Sequence, residues 1–393
     1  MTQAKLIIFV LCFFGIYSSV VYSQSISTDT ISVQLNSNNP VSTDTLIAKQ
    51  NKTLNPYLQQ YVDADLSKED EPHKLDKKKM DLIDYILQVH ASFRTKYEYT
   101  PVWNKHRFQL RNARVSLVGN VHPIVAYKAE VDFCDVTVFK VTDLYINVMP
   151  VKGLSLILGQ MKVPVSTDNL KSPHVQYFAN RSFIVKQMSG IASVGFVASY
   201  SAKQWLPITA WLGVFNGGTP KQQTEWQNHL SYSARLLFET SKYFNFDINY
   251  QYTNPENLGM HLVDVNLRSD FYGAHIETEA MYKIYNDKSL RPTLGFLAQA
   301  YYDLKLPKVF EHLRFLLRYD MMSDDCNGYI NDKGYYSIDD IARHRITAGL
   351  TLRLPKPVFA ELRLNYEKYF YNDITKANPN EVDKLVVELV AHF

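Results

Sequence analysis

Over long stretches of this chain, apolar and polar residues change places at every step. Phe244, Phe246, Ile248, Tyr250 and Tyr252 are separated by Asn245, Asp247, Asn249 and Gln251. Trp226, Leu230, Tyr232, Ala234, Leu236 and Phe238 share one face, with Gln227, Ser231, Ser233 and Arg235 on the other. His261, Val263, Val265 and Leu267 alternate with Asp264, Asn266 and Arg268. Successive strand residues point to opposite faces, so a period of two makes a sheet with one apolar and one polar side. Beyond the first residues no apolar run reaches the roughly 20 residues that a membrane-spanning helix needs. The chain is therefore a soluble β protein, or it crosses a membrane as strands closed into a barrel, because hydrocarbon tolerates no open sheet edge.

The start of the chain favours export. Lys5, an apolar run over residues 6–21 and the small Ser23 have the form of a signal peptide, with cleavage expected after Ser23. A retained anchor is the alternative, and the run is short for one. Residues 24–83 are rich in Ser, Thr, Asn, Asp and Gln and then in mixed charge, which predicts a flexible periplasmic extension. The 27 Tyr and 21 Phe suit strands and membrane–water interfaces. A net charge of +3 is too small to argue for nucleic acid. Cys134 and Cys326 lie outside any CxxC pattern and are either two free thiols or a disulfide between loops.

From residue 84 to 393 the alternation predicts an all-β fold, a transmembrane antiparallel β-barrel of about sixteen strands. They are placed at 84–99, 105–119, 122–134, 139–150, 153–163, 190–203, 206–216, 226–240, 242–254, 259–269, 271–286, 292–306, 311–323, 342–355, 357–371 and 381–393. The connections then alternate in length. Those after even strands are short (Asn120 and Val121, Val151 and Lys152, Gln204 and Trp205, Ser241, Asp270, 307–310, Lys356), whereas 217–225, 323–341 and 372–380 are long. Short periplasmic turns and longer outward loops are the habit of outer-membrane barrels. The last strand carries Leu385, Val387, Leu389, Ala391 and a terminal Phe393 on one face.

Several spaced motifs carry a resemblance. They are Gly159-Gln160-Met161-Lys162-Val163-Pro164, Asp168-Asn169-Leu170-Lys171-Ser172, Phe178-Ala179-Asn180-Arg181-Ser182, and the Arg-rich Phe108-Gln109-Leu110-Arg111-Asn112-Ala113-Arg114. Over residues 84–393 the chain resembles the phosphate-selective porin O/P family of the bacterial outer membrane. That resemblance implies a sixteen-stranded barrel, usually trimeric, whose third outward loop (here 164–189) folds into the lumen. The chain departs from the family's pattern at Asn180 and Val165.

With the polar face inward, the wall offers Arg107, Arg111, Lys128, Arg235, Arg268, Lys283, Arg314, Arg318, Arg343, Arg345, Arg353, Arg363 and Lys384. As many acids share that face, among them Glu130, Asp247, Asp264, Glu279, Asp320, Glu361, Glu367 and Glu388. Arg343, Arg345 and Arg353 on one strand, with Arg314 and Arg318 on the next, lean basic. Forked guanidiniums suit anion recognition, and bracing cross-strand ion pairs are the other reading. In the inward loop, Lys171, His174 and Arg181 are the candidates for a constriction. Arg111 and Arg114 both face inward only if a bulge lies between them. Tyr127, Tyr232, Tyr250, Tyr302, Tyr366, Trp103, Trp205 and Trp226 suit interfacial girdles.

No HExxH, GxSxG, Walker A or GxGxxG pattern is present and the histidines are scattered, so no enzyme, metal or cofactor is expected. The expectation is passive diffusion of small hydrophilic solutes, anions such as phosphate among them, by a homotrimer seated in outer-membrane lipid. A non-conducting barrel, acting as an adhesin or as a scaffold for an uptake or secretion complex, is the competing class.

Overall fold

The computed structural model describes residues 86–393 apart from 135–138, 190–191, 203–205, 219, 242, 256–257, 307–309 and 356–358. The expected signal at 1–23, the extension at 24–83 and Trp205 lie outside the described residues.

Sixteen strands form one closed antiparallel barrel in chain order. They are β1 (Gln88–Thr100), β2 (Lys105–His122), β3 (Val125–Asp132), β4 (Lys140–Val148), β5 (Leu154–Met161), β6 (Ser193–Ser201), β7 (Ile208–Asn216), β8 (Leu230–Phe238), β9 (Phe244–Thr253), β10 (Met260–Phe271), β11 (Ala274–Tyr285), β12 (Thr293–Lys305), β13 (His312–Met322), β14 (Arg343–Arg353), β15 (Phe359–Tyr371) and β16 (Lys384–His392). β1 closes on β16, from Ser92 opposite His392 to Tyr99 opposite Leu385. Beyond that pairing Ala91 and Phe393 exchange backbone hydrogen bonds of 2.9 and 3.0 Å, and the Phe393 ring packs on Phe93. The terminal Phe thus seals the seam.

The alternation inverts the arrangement of a soluble protein. On β15, Leu362, Leu364 and Tyr366 are exposed, while Glu361, Arg363, Asn365 and Glu367 are all within 3% of complete burial. β10 repeats it, with Val263, Val265 and Leu267 outside and Asp264 and Asn266 inside. A continuous apolar exterior around a charged interior is stable only if hydrocarbon covers the outside. Among the described residues no helix is long and apolar enough to cross a membrane, so the strands do the crossing. Tyr232, Tyr250, Tyr302 and Tyr366 face outward as expected, Tyr127 donates to the Ile86 carbonyl, and Trp103 and Trp226 are exposed in connections.

Two turns fall elsewhere than the sequence predicts. β10 continues through Asp270, which pairs with His275, and the chain reverses at Tyr272 (φ 44°) and Gly273 (φ 85°). One residue cannot join two paired strands. A two-residue turn with positive φ at both positions matches their twist, and glycine takes the second without strain. Likewise β2 runs on through Asn120 and Val121 to His122 and reverses at 123–124. The asymmetry of the ends survives, with 272–273 and 149–153 at one end and 162–192, 217–229, 323–342 and 372–383 at the other.

Cys134 and Cys326 are free thiols. Burial pushes both above the usual thiol range, with the Asp132 charge adding to it at Cys134.

Leu364 lies near the middle of β15 on the outer face. Arginine there is expected to cost about 2–4 kcal/mol in reversible refolding into phospholipid vesicles. A cost near zero would mean that hydrocarbon does not cover this face.

Candidate functional site

The long segment between β5 and β6 turns into the barrel and carries two short helices, α1 (Thr167–Leu170) and α2 (Phe183–Met188). It is held along its whole length. At its near end Ser166 takes a left-handed backbone (φ 64°) and caps α1, its Oγ accepting from the Asn169 N–H at 3.1 Å. That conformation turns Ser166 donors onto the buried carboxylates of Asp264 and Glu279. The Thr167 hydroxyl donates to Asp247 at 2.9 Å, and Arg235 donates to both Thr167 and Asp247. Lys162 closes the base of this turn by donating to the Leu170 and Lys171 carbonyls.

The middle of the segment is clasped by wall arginines through its backbone. Arg363 donates to the His174 carbonyl at 2.6 Å, Arg94 to Ala179 at 2.6 Å, Arg318 to Asn180 at 2.9 Å and Arg345 to Arg181 at 3.2 Å. Peptide carbonyls in an extended segment have no ladder partner, and burial makes an unmet acceptor costly. The guanidiniums supply the missing donors. At the far end Asp320 accepts from the Ser182 hydroxyl (3.0 Å) and the Phe183 N–H (3.1 Å), the start of α2. Phe183, Ile184, Val185 and Met188 of α2 belong to one apolar cluster with Met281, Leu297 and Met322 of the wall. Gly295 makes this possible, since a Cβ there would lie 2.6 Å from the Met188 sulfur.

Of the residues singled out in the loop, Lys171 is buried, pairs with Glu277 and lies 4.2 Å above the Tyr177 ring. His174 is half-buried with its ring stacked on His392 at 4.2 Å. Arg181, also half-buried, donates to the Asn169 side chain and the Lys171 carbonyl, so it ties the loop to itself. On the wall, Arg314 makes a forked pair with Asp303 at 2.7 and 2.7 Å beneath Tyr301. Arg343 joins Asp340 and Glu381, Arg345 joins Asp320 and Glu367, and Arg353 joins Glu361. Arg318 donates to the Asn180 carbonyl and lies 3.9 Å from the Asp320 carboxylate. The basic strands β13 and β14 are therefore braced rather than open.

β2 differs. Arg94 pairs with Asn112 and Thr95 with Leu110, so Arg111 has no opposite number and the strand bulges there. The bulge keeps Arg107, Arg111 and Arg114 on the lumen side together. Arg114 is paired to Glu130 and Asp132, and Arg107 to Glu98 with about half its side chain exposed. Arg111 is exposed, has no ion-pair partner among the described residues, and acts electrostatically on Arg94 and Lys96. Sequence reasoning passed over Arg94, Lys96 and Glu98. Their alternation with Phe93, Thr95, Tyr97 and Tyr99 is the signal that marks them as inward.

Asp320 meets two loop donors and Arg345 at once. Asp320→Ala is expected to raise hydrogen exchange at the Ser182 and Phe183 amides by at least about a hundredfold, since losing one partner of a buried pair costs about 3–5 kcal/mol. Unchanged protection at those amides would show that this carboxylate does not hold α2.

No curated protein matches the chain. Among solved structures the barrel is similar to the Salmonella typhi OmpF complex with daunomycin (12% identity, TM-score 0.55, 78% of this chain and 97% of that one). It is similar also to the anion-selective porin of Comamonas acidovorans (11%, 0.53, 78% and 98%) and to the trimer form of Vibrio cholerae OmpT (9%, 0.54, 78% and 99%). Identities this low speak for the fold. The model of the family "Phosphate-selective porin O and P" matches residues 83–272, which span β1 to β10, the inward segment and the bulged β2. With the closed sixteen-strand barrel, that match makes the chain an outer-membrane porin, a channel and not an enzyme, whose residues 83–272 match the model of the phosphate-selective porin O and P family.

Proposed function

We propose that small hydrophilic anions, phosphate among them, diffuse through a narrow path between the inward loop and the β2 wall, with the long connections outward. The observation that carries this reading is Arg111 at the β2 bulge, exposed and without an ion-pair partner among the described residues. The loop is bound to β8, β9, β11, β13, β14, β15 and β1, and the exposed Arg111 marks the β2 side as the route for solute. Arg107 stands above Arg111 on the same face, and Arg114 and His174 lie deeper against a small cavity shared with Ser92, Ser116 and His392. Lys171 and Arg181 shape the path by fixing the loop, and Arg314, Arg318, Arg343, Arg345 and Arg353 brace the wall behind it. A homotrimer in outer-membrane lipid is the assembly we infer, on the family's habit.

Planar-bilayer recordings test this through reversal potentials in chloride and phosphate gradients. The wild type is expected to prefer anions. Arg111→Glu changes the local charge by two, and at about 6 Å in a water-like medium each charge is worth about 0.7 kcal/mol. Anion permeability is then expected to fall and cation permeability to rise by about tenfold each, so that their ratio falls about a hundredfold, while Arg314→Ala leaves it within about twofold. Absence of conductance favours a non-conducting adhesin or scaffold. An unchanged ratio in Arg111→Glu removes the assigned path.

A further inference from the structure

Where β1, β2 and β16 meet towards the short-connection end, the inner wall borders about 260 Å³ of empty space continuous with solvent. Register builds this pocket. His90 stands opposite Ser116 and Ser92 opposite Arg114 on β2, while Ser92 faces His392 across the seam. Strand alternation puts these side chains on the lumen face, where all five line the space. The inward loop adds Ser172 and His174, and the His174 ring stacks on His392 at 4.2 Å. Arg363 holds the His174 carbonyl at 2.6 Å, which fixes this part of the loop over the seam.

Two features point to a ligand. Ser92 and Ser116 are 5% and 9% exposed, and neither hydroxyl, nor that of Ser172, has a hydrogen-bond partner among the described residues. Buried hydroxyls are costly to leave unmet, and these border a space shared with a guanidinium and three imidazoles. Hydroxyl and N–H donors around a cation suit the oxygens of a tetrahedral oxyanion. The second feature is the charge that surrounds the pocket. Arg114 pairs with Glu130 and Asp132, and Lys128 with Glu130 and Asp143. On the other side Glu388 takes Arg94 and Arg363, and Glu361 takes Arg363 and Arg353. These pairs nearly cancel, so the imidazoles decide the sign. Histidine is the side chain that ordinarily changes charge between about pH 5 and 8. His90 is exposed, and His174 and His392 are half-buried, so protons reach all three.

We propose that this pocket binds a divalent tetrahedral oxyanion of the phosphate or sulfate type, and that protonation of His90, His174 and His392 sets its affinity. The serine hydroxyls and Arg114 donate to the anion's oxygens, and the imidazoles supply the charge that balances it. Rings stacked as closely as His174 and His392 repel when both are charged. The second proton therefore enters with the anion, so that acid loads the pocket and neutrality empties it. Down β2 the order is Arg107, Arg111, Arg114 and Ser116, which puts the pocket at the far end of the solute path. The proposal deepens the reading of the lumen and rests on it for the anion's route.

The test is nitrogen NMR of the histidine rings of the whole barrel in phosphatidylcholine nanodiscs, titrated with sodium sulfate. Sulfate keeps its double charge across the neutral range, so only the protein titrates. Saturable shifts are expected at His90, His174 and His392, and none at the outward-facing His261 and His344. In a water-like medium each protonated ring at about 6 Å favours a divalent anion about tenfold. Sulfate is therefore expected to bind at least about tenfold more tightly at about pH 6 than at about pH 8. His174→Gln and His392→Gln each lower the affinity at the acid pH about tenfold. Ser92→Ala weakens binding by the same factor at both pH values, and His261→Gln leaves both unchanged. Undisturbed signals from the remaining histidines verify folding in each variant. No saturable shift in the wild type overturns the proposal, as does one affinity at both pH values. Equal shifts at His261 and His344 also overturn it, because sulfate would then associate without a site. Binding is read here without current, so failure of the pocket leaves the Arg111 path standing, and an unchanged permeability ratio in Arg111→Glu leaves the pocket standing.

Discussion

Charge on the part of the inner wall that the inward loop covers is neutralised mostly at close range, because water is excluded there. Arg353, Glu361, Arg363, Glu388 and Arg94 form one chain of alternating sign across β14, β15, β16 and β1. It crosses the seam where the sheet closes on itself. All its members except Arg353 are nearly inaccessible to solvent. Breaking a pair of this kind costs about 3–5 kcal/mol, most of it the penalty of stranding the other charge. The closure of the barrel thus rests on side chains as well as on the backbone ladder.

The inward loop follows from the same constraint. Once the carboxylates are matched, arginines with further N–H groups remain on β1, β13, β14 and β15, and the extended part of the loop brings unmet carbonyls. Each side satisfies the other. The apolar half of α2 meets an apolar stretch of the inner wall around Met281, Leu297 and Met322. The loop is accordingly polar where it faces charge and oily where it faces methionine. That match fixes which wall it lies on.

Much of this was legible in the sequence. Period two along β9, β10 and β15 announced strand, face and membrane at once, because hydrophobic alternation depends only on neighbouring residues. The inward loop came from motif resemblance, and the terminal Phe393 came from the alternation of β16. Turn positions are not legible where polar residues such as Asp270 or Asn120 end a strand, since a turn is set by backbone φ, at which only Gly273 hints. The role of the arginines was the least legible. Arg345 and Arg111 look alike in a sequence, and they differ because Asp320 and Glu367 stand across the strands from one and a bulge isolates the other. Register decides that, and register is a property of the closed sheet.

The central claim, that the loop is sealed against β13 to β15 while the β2 side stays open to solute, is tested most directly by thiol accessibility during current recording. Cys134 and Cys326 are first replaced by serine, and single cysteines are placed at Arg111 and at Thr347, which is fully buried on β14. A small charged thiol reagent is expected to reduce the current rapidly through Arg111→Cys and to leave Thr347→Cys unmodified. Rapid block at Thr347→Cys with none at Arg111→Cys would place the path on the opposite wall and contradict the assignment.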